Sequence, residues 1–183
     1  MKITKDGITA PKGFLAAGDH VGIKKVKKDL AIIYSKKPAI CSAVFTKNVV
    51  KAAPLQLALK VLSENRYISA IAVNSGNANA CTGEQGYKDA VTTSKTLADC
   101  LGLKENEVLV SSTGVIGQLL DIEKLTEGVK TVSKKISDSK ESANDCAEAI
   151  MTTDTFTKQI TTEIEINGKS VKISGIAKGS GMI

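Results

Sequence analysis

The chain begins as short apolar runs separated by turn residues. DLAIIYS (29–35) and AICSAVFT (39–46) have the length and β-branched content of strands, and the Lys36-Lys37-Pro38 break predicts a turn between them. Pro54 then opens PLQLALKVLSEN, a helical pattern with proline in its first turn. YISAIAVN (67–74) is a further apolar run of strand length, and it gives way to a Gly/Asn-rich loop, NSGNANACTG (74–83). Tyr87, Ala90, Val91, Ser94, Leu97, Ala98 and Leu101 recur at intervals of three and four, which predicts an amphipathic helix. EVLVSS (107–112) reads as a buried strand and STGVIG (112–117) as a second glycine-bearing loop.

Asp121 is placed to cap the next helix, whose stripe is Ile122, Leu125, Val129, Val132 and Ile136. Ala143, Cys146, Ala147 and Ile150 mark another over about 139–151. KQITTEIEI and KSVKISGIA flank Asn167-Gly168, a strong two-residue hairpin signal. In the first arm Ile160, Ile164 and Ile166 share a face with Thr162, while Thr161, Glu163 and Glu165 point the other way. The order is neither a regular β-α-β repeat nor a solenoid, and no linker divides it. It predicts mixed β-sheet covered by helices, an α/β (α+β mixed) chain forming one domain over residues 1–183.

Composition narrows the material of the core. Of 183 residues, 42% are hydrophobic but only 3% aromatic, so Val, Ile, Leu and Ala must fill the interior. The formal net charge is +6, and lysine pairs stand at 24–25, 27–28, 36–37 and 134–135. These pairs lack interleaved aromatics or arginine, which argues against nucleic-acid readout. A solvated lysine face accounts for them, and the field would also draw in an anionic small substrate. Cys41, Cys81, Cys100 and Cys146 form no C-x-x-C pair and His20 is the one histidine, so no convincing zinc set exists. Buried free thiols in a reducing cytoplasm are the expectation. MKITKDGITAPKG has no apolar run of signal-peptide type, and nowhere do about 18 apolar residues run together, so no membrane span is expected.

Three polar stretches border the apolar runs. Asn74-Ser75-Gly76-Asn77-Ala78-Asn79 is either a plain Asn/Gly turn or a place where exposed N–H groups meet an anion. Ser111-Ser112-Thr113-Gly114 is either a strand-to-loop turn or a hydroxyl beside a bare N–H, a workable donor pair for a developing oxyanion. Met151-Thr152-Thr153-Asp154-Thr155 either caps a helix end or grips a carboxylate or amine. His20 stands in a Gly-Asp-His context remote from any nucleophile motif, so no Ser/His/Asp triad assembles. Lys178-Gly179-Ser180-Gly181 lacks the G-x-x-x-x-G-K-[ST] pattern and a following helix, which excludes a phosphate loop.

Five segments, GFLAAG (13–18), AVNSGNANACTG (72–83), SSTGVIG (111–117), AIMTTDT (149–155) and GIAKGSGMI (175–183), together resemble the α chain of the ornithine acetyltransferase family, the bifunctional glutamate N-acetyltransferases of arginine biosynthesis. They come in the family's order and span nearly the whole chain. The resemblance implies a layered αββα sandwich of the type shared with self-processing aminopeptidases. It also implies a precursor that cuts itself at an Ala-Thr bond a few residues beyond Ile183. The freed threonine becomes the first residue of a β chain and the nucleophile, using its own α-amine as base. The resemblance places the oxyanion hole at Thr113 and Gly114, and substrate contacts at Thr152 (with Thr153 the alternative) and Lys178. From the residues alone, Lys178 would be an exposed lysine at a hairpin end. Gly179 and Gly181 would allow the bent path that a self-cleaving bond needs, and would leave a tail with little reason to be ordered. Acetyl transfer from N2-acetylornithine to glutamate needs no metal or organic cofactor. An α2β2 assembly in the cytoplasm, with acetyl-CoA as a possible second donor, completes the expectation. The alternatives are a self-processing aminopeptidase subunit and a non-enzymatic module that binds an amino acid or nucleotide.

Overall fold

A computed structural model of the chain describes residues 1–180; Gly181, Met182 and Ile183 lie outside the described residues, and with them the part of the tail reading that rests on Gly181. Among the described residues, seven strands and four helices run in the order β1 (Lys2–Thr4), β2 (Phe14–Asp19), β3 (Leu30–Ile40), α1 (Ala53–Glu64), β4 (Tyr67–Asn77), α2 (Gly83–Leu101), β5 (Val108–Val115), α3 (Ile122–Ser133), α4 (Lys140–Ala149), β6 (Lys158–Ile166) and β7 (Lys169–Ala177). A 3₁₀ turn, Glu105–Glu107, precedes β5. The strands form a four-stranded sheet, β2-β3-β4-β5, and a three-stranded sheet, β1-β6-β7. The larger sheet is mixed: β2, β3 and β4 are antiparallel neighbours, whereas β4 and β5 run parallel, joined through α2.

Alternation along the strands sends side chains to two different cores. Ala17, Leu30, Ile32, Ala70, Ala72, Val108 and Val110 meet Leu57, Leu97, Leu125 and Val129 of α1, α2 and α3. Ala16 and Ala31 face the other way and meet Cys146, Ala149 and Ile150 at α4. At Gly18 a Cβ would lie 2.1 Å from the Asp145 carbonyl oxygen, so its bare backbone is what lets α4 lie flat on β2. The helix starts follow the sequence: Pro54 sits in the first turn of α1, Asp121 accepts from the Lys124 N–H at 3.1 Å, and Ser139 accepts from the Ser142 N–H at 3.0 Å.

Two expectations fail in the first third. Lys36-Lys37-Pro38 does not turn. It bulges within the single strand β3, where the register against β4 shifts between Tyr34 and Ala39. Proline's missing N–H suits a bulge, since no ladder bond is lost there. The second strand of that pair ends at Ile40, and residues 41–48 are irregular. Cys146 alone of the four free cysteines is buried; Cys41 is half-buried, and Cys81 and Cys100 are exposed. Burial pushes the Cys146 thiol up to about 12.

The Asn167-Gly168 turn is as expected, with both residues at positive φ (51° and 72°) between β6 and β7. The faces of β6 divide as the alternation predicts. The isoleucine face is the open one: Ile160 and Ile166 are exposed, while Thr161 is buried and bonds to the Gly7 carbonyl and the Ser174 hydroxyl.

Candidate active site

The two glycine-bearing stretches expected to be loops begin as strand. β4 continues through Asn77 and β5 through Val115, and they pair in parallel as Asn74 with Ser112, Ser75 with Thr113 and Gly76 with Gly114. Residues 74–77 are thus strand rather than a plain Asn/Gly turn, and only Ala78 and Asn79 of that stretch lie beyond the ladder. The apolar pattern stops before the strands do because their ends are lined with small polar residues, a combination that reads as loop. The pairing is intimate. A Cβ on Gly114, which sits at φ +133°, would lie 2.3 Å from the Gly76 carbonyl carbon. One on Gly76 would lie 2.9 Å from Lys24 Cγ.

Thr113, next to Gly114, is half-buried and receives a hydrogen bond from the Lys178 ammonium, Nζ to Oγ1, at 2.5 Å. Lys178 directly follows β7, so the contact joins the end of the three-stranded sheet to the open end of the four-stranded one. No carboxylate of the described residues pairs with this half-buried ammonium, which leaves its charge available to an anion. A hydroxyl that accepts from lysine keeps its own proton to donate elsewhere.

The hydroxyl cluster approaches along the backbone. Thr152 is half-buried and Thr153 exposed. The Thr152 N–H donates to Asp154 Oδ2 at 3.3 Å, and Asp154 Oδ1 accepts the Gly179 N–H at 2.7 Å. A continuous line of contacts therefore runs from Thr113 to Lys178, through Gly179 to Asp154, and on to Thr152. Asp154 also pairs with Lys158, and these partners, Lys158 foremost, hold its carboxyl well below the usual carboxylate range.

Three further side chains position this region, and no motif in the chain points to any of them. Ser75 is fully buried in the ladder beside Thr113 and donates to the Ala149 carbonyl at the end of α4. Lys24 Nζ donates to the Met151 carbonyl at 2.6 Å and the Lys28 carbonyl at 2.8 Å. Burial pulls the Lys24 ammonium below its ordinary range. Asp29, itself fully buried, receives the Val21 and Lys24 N–H groups at 2.7 and 2.8 Å and fixes the loop that carries Lys24. The Gly-Asp-His setting of His20 belongs to this same loop: His20 Nδ1 lies 2.9 Å from the Lys27 carbonyl and 3.2 Å from Asp29.

The mixed two-sheet architecture and its hydroxyl, glycine and lysine site thus define a small α/β scaffold built around two strand ends and the lysine that follows β7. The sequence profile of the ArgJ family matches residues 15–183, and the chain belongs to that family. It is 50% identical over its whole length to the arginine biosynthesis bifunctional protein ArgJ of Caldanaerobacter subterraneus subsp. tengcongensis, and 46% identical to that of Bacillus subtilis. It spans 45% and 44% of those two proteins. Among solved structures it superposes on the crystal structure of the Bacillus halodurans protein of that name (TM-score 0.95, 40% identity). It also superposes on the ornithine acetyltransferase of Mycobacterium tuberculosis, solved with ornithine (TM-score 0.92, 37% identity). Each of these two alignments covers all of this chain and 96% of the matched chain, so both solved proteins contain a polypeptide of nearly this extent. The expected fold class, mixed sheets covered by helices, is what the structure and these superpositions show.

Proposed function

We propose that this chain is the α portion of a self-cleaving glutamate N-acetyltransferase of arginine biosynthesis, one unit over residues 1–183 that is inactive without its β chain. The observation that carries the reading is the Lys178 ammonium set on the Thr113 hydroxyl beside Gly114. These residues come from separate sheets and supply oxyanion donors together with an uncompensated positive charge.

The threonine that begins the β chain attacks the acetyl carbonyl of N2-acetylornithine, and its α-amine takes the hydroxyl proton. The tetrahedral oxyanion is held by the Thr113 hydroxyl and the Gly114 N–H. The intermediate collapses to acetyl-threonine, and ornithine leaves with the proton on its amine. The glutamate amine then attacks the ester, and N-acetylglutamate departs as the threonine hydroxyl is restored. Lys178 pairs with a substrate α-carboxylate. Thr152 is the preferred hydroxyl contact over Thr153, because Asp154 already fixes its backbone.

Two features support a companion polypeptide. The chain spans under half of its curated relatives, and the β1-β6-β7 sheet leaves Ile3, Ile160 and Ile173 more than half exposed on one face. We assign that companion to the β chain of the same precursor, in an α2β2 assembly in the cytoplasm, with acetyl-CoA as an alternative donor. No helix of the described residues is long and apolar enough to cross a membrane.

The test offers the purified, processed protein N2-acetylornithine plus glutamate, against a panel of short peptides. Formation of ornithine and N-acetylglutamate in equal amounts is expected. Peptide cleavage without acetyl transfer would overturn the reading in favour of an aminopeptidase.

A further inference from the structure

Immediately after β7 the chain bends at Gly179, whose φ of +136° is closed to residues bearing a Cβ. Both the N–H and the C=O of that one residue are gripped by side chains from outside β7. Asp154 Oδ1 accepts the Gly179 N–H at 2.7 Å, and Lys158 Nζ donates to the Gly179 carbonyl at 2.8 Å. The two side chains also pair with each other, and Lys158 lies 5.1 Å from the centre of the Phe156 ring. The Asp154 side chain is fully buried.

A buried ion pair is weak evidence of stabilisation, since desolvation offsets much of the attraction. This one is specific in another sense. It makes a clasp whose two ends fit the N–H and the C=O of one glycine, and that glycine follows Lys178, whose side chain reaches Thr113.

We propose that Asp154 and Lys158 are positioning residues for self-cleavage, clasping Gly179 and so fixing the backbone next to the Lys178–Thr113 contact. The inference rests on the self-cleaving reading above. The reaction it serves is hydrolysis of one downstream peptide bond. Water is added across the C–N bond, leaving a carboxylate on this chain and a free amine on the threonine that follows. Nothing else is consumed. The carbonyl of that bond must meet the oxyanion donors, and a backbone free to swing at Gly179 would rarely present it. Geometric loosening of about 1 Å is enough to slow a positioned reaction about a hundredfold.

The experiment follows the full precursor over time by intact mass, for the natural sequence and for Lys158→Met, Lys158→Arg, Asp154→Asn and Ser139→Ala. Ser139→Ala removes the α4 cap, far from the clasp, and serves as a control of lowered stability. Cutting is expected to slow at least ~10-fold in Lys158→Met and Asp154→Asn. Lys158→Arg, which can still bridge Asp154 and the Gly179 carbonyl, is expected to restore most of the rate. If Asp154→Asn does not fold, the lysine pair decides, because Lys158 is partly exposed. Cutting of folded Lys158→Met at the natural rate would overturn the inference. So would equal slowing in Ser139→Ala at a matched loss of melting temperature, or failure of arginine to restore the rate. A natural precursor that never cuts would instead overturn the self-cleaving reading, so the two failures are distinct.

Discussion

In the proposed reaction Thr113 is the residue on which the chemistry turns. Its hydroxyl accepts from Lys178 and is left to donate toward a developing oxyanion. In the processed protein, Thr113→Ala is expected to lower kcat by about 10²–10³, the usual cost of one oxyanion donor, with the melting temperature nearly unchanged. Thr113→Ser should keep most of the rate. Near-normal turnover in the alanine variant would remove Thr113 from the oxyanion site. Lys178→Met is expected to act differently, raising KM for the carboxylate-bearing substrates more than it lowers kcat, and steady-state kinetics separate the two effects. At this scale the chemistry of Thr113 and Gly114, a hydroxyl beside a bare N–H, marks a candidate donor pair, whereas Lys178 and Thr152 enter through family resemblance. The residues that hold them in place are marked by neither. Ser75, Lys24 and Asp154 act by binding backbone carbonyls and N–H groups of segments far away in sequence, and no local pattern announces such partners.

The parallel pairing of β4 with β5 is the element that builds the proposed site. Its polar ends carry Thr113 and Gly114, and Gly114 packs against the bare backbone of Gly76. Gly114→Ala must part the strands as well as strain the backbone, and the two effects together are expected to cost about 2–6 kcal/mol, read by thermal or urea unfolding. A loss under about 0.5 kcal/mol, the range of ordinary surface substitutions, would show that the ladder end is soft. Periodicity found the four helices, the β6–β7 hairpin and the cores of β4 and β5, because each presents a continuous apolar face. It missed β1, too short to carry a pattern, and β2, whose FLAAGD is mostly small residues made strand-like by its neighbours. It mistook the β3 bulge for a turn because a Lys-Lys-Pro run breaks the apolar pattern in either case.

Across the whole molecule, two sheets meet where Lys178 reaches Thr113, and a buried acid helps to hold the junction. Because Asp154 titrates below its ordinary range in the fold, an unfolded chain binds that proton more readily. The stability it contributes is present above about pH 4, the region of an unperturbed aspartate, and is lost as pH falls from there toward the lower folded value. Asp19, held down chiefly by Lys135, adds in the same direction. Unfolding followed by circular dichroism should therefore show a fall in melting temperature below about pH 4, and Asp154→Asn should flatten that fall. An unaltered acid profile in the variant would contradict the coupling. The placement of Lys178 beside Thr113 could not be read from composition or spacing, because it depends on how two sheets dock. It entered the expectation through family resemblance alone.

Everything assigned to the site supposes that a longer polypeptide is cut to expose a threonine. Intact mass of the expressed full-length precursor tests this most directly. The account predicts two fragments, one beginning at Met1 and ending a few residues past Ile183, the other beginning with threonine. A single uncut chain that still transfers acetyl groups would contradict it.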